Sequence, residues 1–414
     1  MSSKVDISDA VRPNNLDGVP DLIESITAMA KDLKPDDSET RHRLFIKARD
    51  LALSLQTPRE TMLEHQMADP GLIAAINVGV DIGLWKYMVR NGPDKPQKVS
   101  TLANVVKVDP VLLGRLMRHV CAMGHLIETD EDEYRLTPFS KALSLDIIGD
   151  GYLSLIGGMG RSPIEFYKFL RNTNWKNPTD SAHTAMHASY NTDLANCFEY
   201  LRSVGLGPQI NNHMGGKRQG RVPWMHPSIY PVEKTLFEGM DTAADAPLVV
   251  DVGGGLGHDL NDFKKFYPNH PGKLILQDLE VVLDDVKDID PSIQVMPHDF
   301  LTEQPVKGAR AYFMQCIMHD WPDDVCVKIL GQLAKAMKPG YSKILIFEVV
   351  LPRRNAYWEA TSYDILMMTQ FSALERTEDN WYKLIEGSGL GLKITKLWSS
   401  GLSDVENLIE VELV

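Results

Sequence analysis

Hydrophobic and polar positions follow two different patterns along the chain. From residue 22 to 55, apolar residues recur three and four positions apart, which is the spacing of an amphipathic helix. From residue 241 onward, short apolar runs such as "LVVDV" and "KLILQDL" alternate with helical stretches. This alternation predicts an α/β domain in which a mostly parallel, doubly wound sheet is covered by helices on both faces.

These patterns divide the chain into four predicted parts. Polar residues with scattered Pro, Asn and Gly predict a flexible arm at 1–20, and helical patterns predict an all-α region at 21–150. Within that region, two short helical patterns and an alternating stretch with a turn at "TDEDE" predict a winged helix. Residues 151–240 are predicted to form a helical linker that contributes to a substrate pocket, and residues 241–414 are predicted to form the α/β domain.

One helical segment, at 69–89, is more apolar than a solvent-facing helix requires. We therefore expect it to be buried on several sides, with a subunit interface supplying part of that burial. A second copy of the chain is accordingly the predicted protein partner.

Charge limits the other partners. The chain has 43 basic and 56 acidic residues, a formal net charge of -13, and its sequence shows no basic patch. We therefore do not expect nucleic acid or anionic membrane surfaces as partners. The expected partners are small molecules. The winged helix leaves open a non-catalytic DNA-binding regulator, although its second helix carries only Arg115 and Arg118 as cations and its wing is acidic.

Cysteine usage indicates the compartment. The four cysteines form no CxxC pair and no Cys/His spacing typical of a metal site. This pattern predicts a reducing compartment and no bound metal. The N-terminus has no signal-peptide pattern and no apolar run reaches membrane-spanning length, so we expect a cytoplasmic protein.

The ends of the first two predicted strands carry residues suited to a nucleoside. The first strand ends in Asp251, followed by Gly253, Gly254 and Gly255. Glycine permits a tight turn from strand to helix and lets a ligand approach the backbone. The second strand ends at Asp278, where a carboxylate can accept hydrogen bonds from ribose hydroxyls.

The third strand ends in Asp299 and Phe300, which could bind an adenine amino group and cover the adenine ring. Each of these strand-end features alone is also typical of a tight turn, a helix N-cap or a packed core. Because they occur at three consecutive strand ends in the order that a nucleoside requires, together they predict a bound adenosyl group.

The fourth strand runs through "FMQCIM" directly into His319. The acids and proline that follow suit the start of a helix, but no capping rule requires a histidine there. Glu348 interrupts the apolar fifth strand, and Glu375 precedes a helix that Thr377 can cap. A histidine whose second nitrogen is held by a carboxylate is a general-base arrangement, although a core histidine and a solvated Glu375 are the alternatives.

From about residue 65 onward the chain resembles the S-adenosylmethionine-dependent O-methyltransferases of the plant caffeate and flavonoid type and their fungal secondary-metabolite relatives. The resemblance lies in "VVDVGGG", "QDL", "HDF", "HDWPDD", "MKPG" and "ERTE". It implies a class I methyltransferase (Rossmann-like) fold with an N-terminal winged-helix dimerisation domain. It also implies S-adenosyl-L-methionine as cofactor.

The resemblance also assigns residues. His319 matches the catalytic base, supported by Glu348 and Glu375. Gln315 departs from the pattern, because the family commonly has Lys or Arg at that position. The predicted cofactor-binding residues are Asp251, Gly253, Gly254, Gly255, Asp278, Leu279, Asp299, Phe300 and Gln315.

The implied reaction is methyl transfer to a hydroxyl of an aromatic or polyketide-type metabolite, with His319 removing the hydroxyl proton. A cofactor-bound pericyclase or dehydratase on the same fold is the alternative, and such relatives are expected to have replaced the histidine, which is intact here. Trp321, Met367, Met368 and Phe371 are the predicted walls of the substrate pocket. Each of these apolar residues is by itself also typical of a packed core.

Overall fold

The computed structural model describes residues 5–217, 220–241, 243, 245–399 and 405–414. They fold into two compact units, Met1–Tyr152 and Leu153–Val414. The helices of the predicted linker region belong to the second unit.

The first unit is mainly helical and contains a small antiparallel sheet. A 3-10 helix at Ile7–Val11 lies in the segment predicted to be a flexible arm, and a π-helical turn at Glu64–Ala68 joins two of the helices. The regular elements are α1 (Val19–Asp32), α2 (Ser38–Leu55), α3 (Pro58–Leu63), α4 (Asp69–Asp81), α5 (Leu84–Asn91), β1 (Gln97–Lys98), α6 (Val99–Val106), α7 (Pro110–Ala122), β2 (Leu126–Asp130), β3 (Glu133–Leu136), α8 (Pro138–Ala142) and α9 (Asp146–Gly151).

Helices α6 and α7 and the hairpin β2–β3 form the winged helix that the sequence predicts, with β1 pairing on the outer side of β3. The indole of Trp85 is buried in the surrounding core. A Cβ at Gly79 would lie 2.6 Å from this indole, so only glycine lets α4 approach it. The Trp85 indole N–H donates to the Ile76 carbonyl at 3.4 Å.

The second unit begins with helices and continues as alternating strands and helices. Its helices are α10 (Arg161–Asn172), α11 (Ala185–Tyr190), α12 (Cys197–Ser203), α13 (Gly207–Lys217), α14 (His258–Phe266), α15 (Glu280–Leu283), α16 (Asp323–Ala336), α17 (Trp358–Phe371) and α18 (Glu378–Ile385). Its strands are β4 (Pro247–Val252), β5 (Lys273–Asp278), β6 (Gln294–Pro297), β7 (Ala311–Gln315), β8 (Lys343–Leu351), β9 (Arg376–Thr377), β10 (Leu392–Ser399) and β11 (Glu406–Leu413).

The strands form one sheet in the order β10-β11-β8-β7-β4-β5-β6, with β9 pairing beside β8. Strands β4 to β8 run parallel to one another, and β11 is antiparallel to both β8 and β10. This sheet confirms the predicted doubly wound α/β fold. The chain order reverses at β4, between β5 and β7, and ligands of such sheets bind where the carboxyl ends of the strands diverge.

Side chains alternate between the two faces of the sheet, as the period of a strand requires. Val250 and Met314 point into a core formed with α16 and α18, whereas Val249 and Phe313 point into a core around Trp224. Both faces of the central strands are therefore buried. The polar groups of these strands that a ligand can contact lie at the strand ends.

Among the described residues, no single helix has both the length and the apolar composition to cross a membrane. Pro58–Asp81 and Leu84–Asn91 meet that requirement only as a pair, which is bent by 67°.

Candidate active site

The turn after β4 approaches its neighbours closely. Gly253 and Gly255 have φ values of +76° and +57°, the left-handed region that favours glycine. A Cβ at Gly253 would lie 2.6 Å from the Ile317 side chain, whereas a Cβ at Gly255 would meet no atom within 4 Å. Gly255 therefore faces open space, which is what a ligand passing close to the backbone needs.

Asp278 fixes this turn from the end of β5. Its carboxylate accepts the Gly255 N–H at 2.8 Å and the Leu279 N–H at 2.7 Å. Burial raises the pKa of Asp278, although the two backbone hydrogen bonds oppose that shift. The side chain is thus held at the mouth of the sheet, with lone pairs left for a further donor.

Every predicted cofactor-binding residue lines a single cavity of about 620 Å³ within the second unit. Trp321, predicted as a substrate-pocket wall, also lines it, and its ring packs edge-on against Phe300 with the centroids 6.1 Å apart. Sequence reasoning missed other lining residues, because they lie in the helical region before β4 or away from the strand ends. They include Phe198, Arg202, Met214, Arg221, Trp224, His258 and Glu406.

Arg221, one of the missed residues, forms two ion pairs at this cavity. Its guanidinium pairs with Glu406 at 2.7 Å and also with Glu359. Glu406 and Arg221 both line the cavity, and the carboxylates raise the pKa of Arg221 against the effect of burial. This ion pair joins the start of β11 and α17 to the segment before β4, and so it closes one wall of the cavity.

The predicted acid–base residues are brought together and buried. His319 Nδ1 lies 2.8 Å from Glu375 Oε1 and 3.5 Å from Glu348 Oε2. His319 is 4% exposed, Glu375 2% and Glu348 0%. The other ring nitrogen, Nε2, lies 3.6 Å from the carboxylate of Asp320, which lines the cavity. Nδ1 is therefore engaged by the glutamates, and Nε2 is the nitrogen on the side of Asp320.

Electrostatics favour a positive charge on this ring. Burial disfavours the imidazolium, but the charges of Glu348, Glu375 and Asp320 outweigh burial and raise the pKa of His319 to about 10. Burial raises the pKa of Glu348, and the His319 charge opposes that effect. The proton affinity of His319 is therefore set by the balance between burial and these three carboxylates.

The turn that carries His319 is held in place by side chains that bind its backbone groups. Glu348 Oε1 accepts the N–H groups of Ile317 and Met318, both at 2.8 Å. Arg376, which is 1% exposed, donates to the carbonyls of Met318 and Trp321, both at 2.9 Å, and to the Asp323 carboxylate. Arg376 was not predicted; the only signal was its place beside Glu375 in "ERTE".

The ligand atoms of His319, Glu348 and Glu375 lie within 4.8 Å of one another, a spacing that a metal ion could also use. Here Glu375 already contacts Nδ1, and Glu348 already accepts two backbone N–H groups. We therefore interpret the cluster as an acid–base group.

The other predicted pocket residues do not line this cavity. Met367 and Phe371 are buried in an apolar cluster with Met159, Met186 and other side chains, and Met368 is partly buried. Phe198 connects the two regions, because it lines the cavity and packs against Phe371 with ring centroids 5.5 Å apart.

Comparisons with known proteins agree with this geometry. Residues 228–391 match the O-methyltransferase domain family. The O-methyltransferase mfmE of Annulohypoxylon moriforme is 33% identical, and the match covers 95% of each chain. The chain therefore belongs to the O-methyltransferase family and is an S-adenosylmethionine-dependent methyltransferase of secondary-metabolite type.

Solved structures resemble nearly the whole chain. A pericyclic reaction enzyme is 28% identical with a TM-score of 0.84, covering 97% of this chain and 100% of its own. LepI in complex with SAM is also 28% identical with a TM-score of 0.84, covering 96% and 99%. The predicted family, fold and cofactor are confirmed.

Proposed function

We propose that this enzyme methylates a hydroxyl of an aromatic or polyketide-type secondary metabolite, with His319 as general base. The observation that carries this proposal is the buried contact of His319 Nδ1 with Glu375 at 2.8 Å, beside a cavity lined by the glycine turn and Asp278. S-adenosylmethionine would supply the methyl group from a positively charged sulfonium and leave as neutral S-adenosylhomocysteine. His319 takes the hydroxyl proton at Nε2, while the glutamates hold Nδ1 and stabilise the charge that forms.

The cofactor residues act by binding and orientation. Asp278 accepts hydrogen bonds from the ribose hydroxyls, the backbone at Gly255 allows close approach, and Phe300 covers the adenine ring. Alignment of the two reacting groups removes much of the entropic barrier, so positioning contributes alongside acid–base chemistry.

The apolar cluster beside the cavity supports a hydrophobic acceptor. It contains Met159, Met186 and Met367, whose unbranched side chains can rearrange around a ligand. Met367, Met368 and Phe371 accordingly remain our proposed substrate contacts, reached from the cavity past Phe198.

A direct assay tests the proposal. The enzyme is incubated with methyl-labelled S-adenosylmethionine and an extract of aromatic and polyketide metabolites, and products are analysed by mass spectrometry. Methyl transfer requires a labelled product and an equal amount of S-adenosylhomocysteine. Product without any S-adenosylhomocysteine would contradict the proposal.

That second outcome would support the alternative, a cofactor-bound pericyclase or dehydratase, of which a pericyclic reaction enzyme with a similar structure is an example. Such a reaction leaves the cofactor unchanged. The intact His319 with its two glutamates supports methyl transfer over this alternative.

We also propose a homodimer. Among the residues of α1 to α3, only Ser54 is buried. Ile23, Phe45 and Leu53 are 50%, 45% and 45% exposed. A second copy of the chain would cover these side chains, since exposed apolar surface of this extent marks an interface.

We further propose that the protein is cytoplasmic and that its winged helix does not bind DNA. All four cysteines are free thiols, as expected in a reducing compartment. On the winged helix, Arg118 pairs with Asp132 of the wing at 3.1 Å, which reduces the positive charge offered to a phosphate backbone.

A further inference from the structure

Two glutamines form a reciprocal amide pair at the carboxyl end of β5. The side-chain amide of Gln277 donates to Gln304 Oε1 at 2.9 Å, and the amide of Gln304 donates to Gln277 Oε1 at 2.8 Å. Both residues are 0% exposed. A buried amide is costly unless its hydrogen bonds are made, and these two amides satisfy each other. Because both side chains are buried, the pair acts on a ligand only through the residues beside it in the chain.

Gln277 connects two parts of the cofactor cavity. It immediately precedes Asp278 at the end of β5. Its backbone carbonyl accepts the Gly253 N–H at 2.8 Å and the Gly254 N–H at 3.0 Å. Asp278 in turn accepts the N–H of Gly255. The glycine turn and Asp278 are therefore held together by short contacts at the end of one strand.

Gln304 belongs to the loop that carries a third part of the cavity. Asp299 and Phe300, which line the cavity, begin this loop after β6. The Asp299 carboxylate accepts the Leu301 N–H at 2.9 Å, and Gln304 Oε1 accepts the Val306 N–H at 3.1 Å. Both ends of the loop segment are thus fixed by local hydrogen bonds, and the amide pair joins the segment to β5.

This loop follows an edge strand. In the described sheet, β6 is the last strand in the order and pairs with β5. A strand with one hydrogen-bonded neighbour is held on one side only, so the residues after it require a further contact to keep a fixed distance from the sheet. Phe300 packs against the core, but apolar contacts are not directional. Two reciprocal N–H···O bonds define both a distance and an orientation.

We propose that the Gln277–Gln304 pair is a positioning and specificity device for the cofactor, because it fixes the distance between Asp278 at the ribose and Asp299 at the adenine amino group. This inference rests on the proposed cofactor contacts of the two aspartates. A ligand whose ribose binds Asp278 then presents its base to Asp299 at one distance. Adenine donates its amino hydrogen to the carboxylate. A base with a carbonyl at that position is rejected, because two acceptors face each other.

Two ligands that differ at this amino group test the proposal. S-inosylhomocysteine has a carbonyl oxygen where S-adenosylhomocysteine has the adenine amino group, and calorimetry gives the Kd of each. We expect the wild type to bind S-adenosylhomocysteine about 10–100-fold more tightly, the difference typical of a hydrogen bond to a charged group. The double variant Gln277→Met, Gln304→Met should lower this ratio by about threefold to tenfold, because the loop is no longer tied to β5.

The double variant also separates positioning from stability. A single substitution leaves one buried amide without its partner, whereas the double substitution replaces both amides by apolar side chains of similar size. We therefore expect Gln304→Met to lower the midpoint of thermal unfolding more than the double variant does, while both lower the ligand ratio. If the double variant does not fold, Gln304→Asn, which shortens one partner by a methylene group, is measured in its place.

Gln97→Met is the matched control. Gln97 is 5% exposed, and its amide donates to the Met88 carbonyl at 2.9 Å in the first unit. The substitution removes a buried hydrogen bond of the same kind, whereas the residues that line the cofactor cavity belong to the second unit. It should lower the midpoint of unfolding and leave the ligand ratio at the wild-type value.

A wild-type ligand ratio in the folded double variant, or an equal fall of the ratio in Gln97→Met, would overturn the inference while the assignment of the cofactor stands. A wild type that binds both ligands equally would instead overturn the proposed contact of Asp299 with the adenine amino group, and the inference with it. Because binding is measured without turnover, the result of the methyl-transfer assay is independent of this test.

Discussion

The chemistry of His319 depends on which ring nitrogen remains available. Glu375 and Glu348 engage Nδ1, so Nε2 is the nitrogen that would exchange a proton with the acceptor in the proposed reaction. A histidine with one nitrogen held in this way keeps a fixed tautomer and a fixed orientation.

We expect His319→Gln to lower turnover by about 10²–10⁴-fold, the range typical of a lost acid–base group. Affinity for S-adenosylhomocysteine should change little, because that ligand is neutral at sulfur. Steady-state kinetics and calorimetry measure the two effects. Full turnover by the variant would contradict the general-base role.

The raised pKa of His319 also has a consequence for stability. Protonation of His319 stabilises the folded state, because the pKa of the ring is higher there, about 10, than in the unfolded chain, about 6.5. This stabilisation is fully present below about pH 6.5 and is lost as the pH rises through about 10. The free energy of unfolding of the ligand-free wild type, relative to His319→Gln, should therefore fall between these pH values. Urea unfolding at several pH values measures it, and a constant difference would contradict the raised pKa.

At the scale of elements, one short turn carries the histidine and is held from two sides. Glu348 accepts N–H groups of this turn, and Arg376 donates to its carbonyls. Both supports come from the strand pair β8–β9, so the turn is positioned by the sheet.

We expect Arg376→Lys to lower the free energy of unfolding by about 1–3 kcal/mol, because a single ammonium cannot replace the forked contacts of a buried guanidinium. Turnover should fall more than cofactor affinity, since the turn positions His319. Arg353→Lys is the control, because Arg353 forms an exposed ion pair with Asp379, and it should change stability little. Equal effects of the two substitutions would contradict the positioning role.

The glycine turn allows an equally controlled comparison. Gly255 and Gly340 have φ values of +57° and +67°, and a Cβ at either would meet no atom within 4 Å. Substitution by alanine at either position should therefore introduce a similar backbone strain and lower the free energy of unfolding by about 1–2 kcal/mol. Only Gly255→Ala should weaken S-adenosylmethionine binding, measured by calorimetry, because only that Cβ enters the cofactor cavity. Unchanged affinity in folded Gly255→Ala would contradict the assignment of the turn.

At the scale of the whole molecule, the helices α1 to α3 lack a core of their own. Their apolar side chains are exposed or only partly buried within one copy of the chain. Ordering such helices has an entropic cost that burial against a partner would offset.

We expect light scattering to give twice the chain mass at micromolar concentration. Phe45→Glu, in α2, should shift the protein toward the monomer, because it places a charge in the proposed interface. Ile164→Glu changes a residue that is 77% exposed in the second unit and should leave the dimer intact. A monomeric wild type would remove the interface from the proposal.

The order and type of the elements were largely predictable, because hydrophobic alternation and turn chemistry act over short sequence distances. The glycines after β4, the acid at the end of β5 and the histidine after β7 were recognised from their places at strand ends. In a parallel sheet these ends meet at one edge, so the fold class explains why the glycines and Asp278 line one cavity; His319 is buried in the turn after β7 and does not itself line it.

Contacts between distant residues were decided only by the tertiary structure. His319 and Glu375 are 56 residues apart in sequence, and Arg221 and Glu406 are 185 apart. For the contacts of Arg376 with the His319 turn, the only sequence signal was its place beside Glu375. The burial of Met367 and Phe371 outside the cavity has no local sequence signal. The sequence by itself determined which chemical groups stand at the strand ends. The packing of α17 and the pairing of β8 with β9 decided which charges surround the histidine, because electrostatic interactions depend on distance in space and on burial.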